Sequence, residues 1–281
     1  MAYIYNGQIK EGEHIELELN NRALNYGDGV FETIKYSFNR LNFWEDHYFR
    51  LMASMRILRM EIPQSFSPEY LEEQLRECVS VNNLQESGAR LKILVFRKAG
   101  GLYTPASNDV DFVITAVPIE NPGYRLNDKG LVIDLYKDFY KQKGLLSNLK
   151  HLGASIYTIA SVYRAENDLD ECVLLNDDKQ VVEAISSNLF MVKGREVYTA
   201  PLDSGCLKGV MRKQVIDLLP KLDYEVKEES FSPFELQRAD EVFLTNAIKG
   251  VQWVAKYRKK EYSHECAEAL SKRLNVTVAI G

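Results

Sequence analysis

Pro118-Ile119-Glu120-Asn121-Pro122-Gly123 puts two prolines and a glycine into a short stretch that has no periodic apolar spacing, within a chain of 281 residues. Proline fixes φ and removes a backbone donor, so no regular element crosses this segment. The chain is long for one core and short for three. The segment is therefore read as a linker at 119–125, joining an N-terminal domain at 1–118 to a C-terminal domain at 126–281.

Both halves mix strand and helix signals. Residues 1–40 alternate short apolar runs with turns at Asn6-Gly7, Glu11-Gly12 and Asn39-Arg40, the pattern of an antiparallel meander. From Trp44 to Met60 the apolar residues Leu51, Met55 and Leu58 recur at helical spacing. Ser67-Pro68 then opens a second helix with Leu71, Leu75, Cys78 and Val79 on one face. Strands follow at Leu91–Phe96 and Val110–Val117, separated by a Gly100-Gly101 loop. Beyond the linker the pattern gives a strand at Leu131–Tyr136 and a helix from Lys150 through Arg164. Hairpins turn at Asn176-Asp177-Asp178 and Lys193-Gly194-Arg195. A helix at Gly209–Leu219, a strand at Glu241–Thr245 and a terminal helix at His264–Leu274 complete it. The fold class is α+β in two domains, with no internal repeat.

Composition narrows the function by exclusion. A formal charge of -5 gives no field for gripping phosphate backbones, so nucleic acid is not expected as a partner. No run is long enough to span a membrane, and the N-terminus reads as strand without a secretory pattern. The expected location is the cytoplasm, without membrane contact. Cys78, Cys172, Cys206 and Cys266 lack metal or disulfide spacing and read as reduced core thiols. His47, beside Glu45 and Asp46, reads as a solvated histidine, and no metal site is expected.

Five stretches carry chemistry-bearing residues that composition does not explain. They are Asn25-Tyr26-Gly27-Asp28-Gly29-Val30-Phe31-Glu32-Thr33, His47-x-x-Arg50-Leu51, Ser147-Asn148-Leu149-Lys150-His151-Leu152, Val182-Glu183-Ala184-Ile185-Ser186-Ser187-Asn188 and Lys208-Gly209-Val210-Met211-Arg212. Thr245-Asn246-Ala247 ends an apolar strand. A lysine at a helix entrance is ordinarily surface charge, and Lys150 stands out only by this company. Gly209-Val210-Met211-Arg212 opens a helix, whose free N–H groups and dipole suit an anion.

Taken together, in this order and spread over nearly the whole chain, these stretches resemble the class IV aminotransferases, the fold type IV pyridoxal phosphate enzymes. The resemblance implies two α+β domains of the D-amino acid aminotransferase type with pyridoxal 5'-phosphate between them, and a homodimer acting on a small amine. It implies that Lys150 holds the cofactor as a Schiff base and shuttles protons, which requires a depressed amine pKa. Glu183 then stabilises the proton on the pyridine nitrogen. Arg50, with the N–H groups of Val210 and Met211, binds the phosphate, and Ser187, Asn188, Thr245 and Asn246 complete the cofactor site. Ala184 departs from the glycine usual in relatives, and Gly153 from an asparagine.

Among the family's reactions, peripheral residues resemble the lyases that split 4-amino-4-deoxychorismate into 4-aminobenzoate and pyruvate, a step towards folate. Thr33 stands where lyases carry a threonine that assists proton transfer. Gly-Val-Met-Arg and Thr-Asn-Ala are similar to lyase segments. The Gly100-Gly101-Leu102-Tyr103 loop keeps the lyase glycine pair and tyrosine but replaces the arginine by Leu102. The alternative is an aminotransferase for branched-chain or, less in keeping, D-amino acids. Ser155 replaces the tyrosine of branched-chain enzymes, and the Arg-x-His pair of D-amino acid enzymes is missing. A non-catalytic binding protein on the same fold is a remote third.

Overall fold

The computed structural model describes residues 1–280, and its contacts divide the chain into two units. One comprises Met1–Gly123 together with Lys150–Gly153, and the other holds Tyr124–Leu149 and the chain from Ala154 onward.

The first unit is one antiparallel sheet with two helices packed on a single face. Its elements run β1 (Ala2–Tyr5), β2 (Gln8–Glu11), α1 (Arg22–Tyr26), β3 (Gly29–Ser37), β4 (Arg40–Leu41), α2 (Trp44–Ile57), α3 (Pro68–Val81), β5 (Ala89–Arg97) and β6 (Val110–Pro118). Sheet order is β2-β1-β6-β5-β3-β4. Strand alternation sends Ile34, Leu91, Ile93, Val95 and Ile114 to the helix side, where each is 0% exposed. Leu51 and Met55 of α2 and Leu71, Leu75 and Cys78 of α3 meet them, each apolar side chain contributing roughly 1.5–3 kcal/mol. The helix-spaced residues therefore cover the sheet, as their periodicity requires. Ser67 caps α3 by accepting from the Tyr70 N–H at 3.1 Å. The β3–β4 turn lies one residue earlier than expected, at Phe38-Asn39, because both have positive φ, the geometry of a tight hairpin. α2 stops at Ile57 rather than Met60, since Arg59 is left-handed and Arg97 captures the Leu58 and Arg59 carbonyls at 2.6 and 3.2 Å.

The second unit holds a larger mixed sheet. Its elements are β7 (Leu131–Leu135), α4 (Ser155–Glu166), β8 (Glu171–Leu175), β9 (Val181–Ala184), β10 (Asn188–Lys193), β11 (Glu196–Thr199), α5 (Val210–Leu218), β12 (Glu225–Glu228), α6 (Pro233–Leu236), β13 (Glu241–Asn246), β14 (Gly250–Tyr257), β15 (Lys260–Glu261) and α7 (Glu265–Ile280). The order is β12-β11-β10-β13-β14-β7-β8-β9, with β15 on β14. The two expected hairpins are β8–β9 and β10–β11. β14 is not marked by simple alternation in the sequence, because Trp253-Val254-Ala255 runs apolar and the register on β7 shifts between Val254 and Lys256. α7 runs past Leu274 to Ile280, because Val278 finds a buried position that outweighs the weak helix propensity of Val276-Thr277-Val278. All four cysteines are buried free thiols, and burial pushes each one's pKa up. No helix among the described residues is long and apolar enough to cross a membrane.

The expected helix from Lys150 does not start there. α4 begins at Ser155, and Lys150–Leu152 is extended, bridging β3 through Val30 and His151. Phe31 N–H donates to the Lys150 carbonyl and Leu152 N–H to the Gly29 carbonyl, both at 2.9 Å. Gly29 permits this approach, since a Cβ there would lie 2.7 Å from Leu152 Cδ1 and 2.9 Å from the Val95 carbonyl.

Candidate active site

In the first unit Lys150 is placed by its backbone against β3, and its ammonium lies 4.5 Å from the centre of the Phe31 ring. Thr33 is two residues further along β3 and shares the Phe31 face. Lys92, directly opposite Thr33 on β5, brings a second ammonium 5.0 Å from the same ring. Burial, with Arg90 adding to it, lowers the Lys92 pKa. The sequence reading did not single out Lys92, and only the register of β3 on β5 reveals it.

Glu32 faces the other way, towards α2, where Arg50 and His47 meet it. Arg50 Nε donates to Oε1 at 2.7 Å while Nη2 donates to Oε2, a two-pronged pair 10% and 1% exposed at its side chains. Burial by itself would raise the Glu32 carboxyl, but Arg50 and then His47 outweigh it and hold the pKa at about 2. His47 corrects the expectation of a solvated residue, being 0% exposed with Nδ1 2.7 Å from Glu32. Burial pushes its pKa down against the pull of Glu32, so Nδ1–H donates to the carboxylate. Its Nε2 is buried without a partner among the described residues.

In the second unit Glu183, on β9, is 2% exposed. Its Oε1 accepts from the Tyr157 hydroxyl at 2.7 Å and from the Lys141 ammonium, and its Oε2 accepts from the Leu207 N–H at 2.8 Å. Burial, reinforced by the Glu183 charge, raises the Tyr157 pKa. Ala184 continues β9 with ordinary strand pairing to Val173, so the missing glycine costs the strand nothing.

Leu207 leads directly into α5, whose N-terminal residue Gly209 carries no side-chain cap, leaving the first N–H groups of the helix, including those of Val210 and Met211, without intrahelical acceptors. Asn188 fixes this loop by donating to the Leu207 carbonyl at 2.9 Å, and a Cβ on Gly209 would sit 2.0 Å from Asn188 Oδ1, so only glycine fits. Thr245 pairs across from Asn188 in the β10–β13 ladder. Its Oγ1 is buried without a hydrogen-bond partner among the described residues. Asn246 Nδ2 donates to Ser187 Oγ at 3.1 Å. Asn148, two residues before Lys150, donates to the carbonyls of Leu202 and Cys206 at 2.8 and 2.6 Å.

A buried carboxylate, a bare helix start and an orphaned hydroxyl stand together in one unit, and a lysine on a strand face in the other. The sequence model of the amino-transferase class IV family matches residues 29–257, most of the chain. The chain belongs to the class IV aminotransferase family. As a member it is a pyridoxal-phosphate-dependent enzyme. Among curated relatives, the aminodeoxychorismate lyase of Vibrio harveyi is 28% identical over 83% of this chain and 84% of its own. The D-alanine aminotransferase of Bacillus licheniformis is 26% identical over 89% and 86%. Among solved structures, the branched-chain amino acid aminotransferase of Escherichia coli superposes with a TM-score of 0.85 at 25% identity, covering 97% of this chain and 91% of its own. Class IV relatives of this chain thus run different reactions at similar identity.

Proposed function

We propose that this class IV enzyme is a 4-amino-4-deoxychorismate lyase, releasing 4-aminobenzoate and pyruvate. The observation that carries the reading is the shared face of β3, where the Lys150 ammonium lies over Phe31 and Thr33 stands two residues along. The lyase relative from Vibrio harveyi supports it. So does Lys92, a second cation on that face suited to a substrate bearing carboxylates.

The residues present fit pyridoxal phosphate. The Thr245 hydroxyl and the uncapped start of α5 at Gly209 suit phosphate oxygens, and the buried Glu183 carboxylate suits a ring nitrogen. Arg50, Val210 and Met211 would hold the phosphate, with Ser187, Asn188, Thr245 and Asn246 around it. Lys150 would hold the aldehyde carbon. When bound, the cofactor supplies an electron-poor ring that stabilises negative charge beside the substrate's nitrogen. Lys150, as a neutral amine, takes the proton from the ring carbon that bears the substrate amine. Thr33 directs a proton to the three-carbon fragment as it leaves, and aromatisation of the ring drives the departure. No second keto acid takes part.

The test is a direct assay of the purified enzyme with 4-amino-4-deoxychorismate alone, following 4-aminobenzoate, beside one with valine and 2-oxoglutarate. The lyase reading expects product in the first and none in the second. The reverse result makes the enzyme a branched-chain aminotransferase. Thr33→Val is expected to lower lyase turnover by about 10²-fold with cofactor absorbance unchanged. Borohydride should fix the cofactor to the peptide containing Lys150, read by mass.

A further inference from the structure

Lys141 is a lysine of which only 5% is exposed, in a loop whose sequence carries no motif. A buried ammonium is costly unless its donors are met. Here all three have acceptors: Glu183 Oε1, the Tyr157 hydroxyl at 2.6 Å and the Ser147 carbonyl at 3.3 Å. The backbone is fixed as well, since Lys141 N–H donates to the Leu175 carbonyl at 2.8 Å. Glu183 in turn accepts from Lys141 and Tyr157 at one oxygen and from Leu207 at the other. An ionised carboxylate has about four acceptor positions, so Oε2 retains room for one further donor.

We propose that Lys141 is a positioning residue that partly offsets the charge of Glu183, so that the carboxylate accepts a hydrogen bond from the protonated ring nitrogen of the cofactor without pressing its full negative charge on it. The inference rests on Glu183 facing that nitrogen. A buried carboxylate with no counter-ion favours the protonated form of a facing base by about 1–3 pH units. An ammonium in contact with the same carboxylate removes part of that bias and leaves the rest to hold the proton. Lys141 thereby sets how strongly the site distinguishes a ring nitrogen from a group that carries no proton.

The measurement is a ratio. The full chain, stripped of cofactor, is titrated with pyridoxal phosphate and with its carbocyclic analogue, in which a C–H replaces the ring nitrogen. The quantity read is the analogue's Kd divided by that of pyridoxal phosphate. A pocket that is merely loosened weakens both ligands alike and leaves the ratio unmoved. Lys141→Met is expected to raise the ratio by about tenfold or more, because an uncompensated Glu183 then faces an apolar C–H. Lys141→Gln keeps a donor at Oε1 without the charge and should move it the same way, which covers a methionine variant that fails to fold. Lys141→Arg should restore a ratio within about twofold of the starting enzyme. If the Met and Gln variants leave the ratio unchanged while Glu183→Gln lowers it, the role given to Lys141 is wrong and that of Glu183 stands. If Glu183→Gln leaves the ratio of the starting enzyme unchanged, Glu183 does not face the ring nitrogen, and the inference falls with it.

Discussion

Glu32 and Glu183 are buried to nearly the same degree, 1% and 2% exposed, yet their surroundings solve the burial of a carboxylate differently. Glu32 is gripped by the rigid fork of Arg50 and by the His47 imidazole, a planar set that fixes orientation as well as charge. Glu183 is met by the ammonium of a flexible lysine, a phenol and one backbone N–H. The first arrangement ties α2 to β3 through charge-assisted bonds to both carboxylate oxygens. The second meets one oxygen with two donors and the other with a single backbone N–H, which leaves that oxygen with spare acceptor capacity.

That contrast is open to attack at several points. The largest effect is expected from Glu32→Ala, which strands a buried guanidinium and imidazole and should cost about 3–5 kcal/mol in urea unfolding. A variant as stable as the starting enzyme would mean that the pair adds nothing in solution. Acid should separate the clusters next. The pKa of Glu32 in the folded state, about 2, lies below its ordinary 4.5, so protonation favours the unfolded chain. The stabilisation is whole above pH 4.5 and fades as the pH falls toward 2, amounting to about 3 kcal/mol. Unfolding curves for the starting enzyme should therefore lose that much more than Glu32→Gln across this window, and parallel losses would assign acid sensitivity elsewhere. The smallest effect belongs to Tyr157→Phe, which removes one of three donors to Glu183 and should cost about 1 kcal/mol in the same assay. A cost approaching that of Glu32→Ala would make the second cluster as rigid a structural device as the first.

Local signals made much of the fold legible. Ser67-Pro68 and the apolar spacing after it mark α3, and the β-rich runs mark β5 and β6. The family could be read because glycines, a lysine and two carboxylates kept their order along the chain. What escaped depends on partners far away in sequence. Lys150 sits in a run with helical propensity but is drawn into extended pairing by β3. His47 has acidic neighbours that suggest solvent, whereas its partner Glu32 arrives from another element. Lys141 is indistinguishable from Lys143, which pairs with exposed Asp177 and Asp178, until Glu183 and Tyr157 are in place.

The short stretch Lys150–Leu152 also bears on the order in which the protein is made. A nascent chain that has reached Gly123 already contains every strand of the first sheet. The outer edge of β3 at Gly29–Phe31 nevertheless lacks the backbone partners that Lys150–Leu152 provide. At about 5–20 residues per second, the roughly thirty residues still to come leave that edge open for a few seconds. The first unit is thus finished by a segment translated as part of the second, and during the interval an apolar strand edge is open to pairing with neighbouring chains.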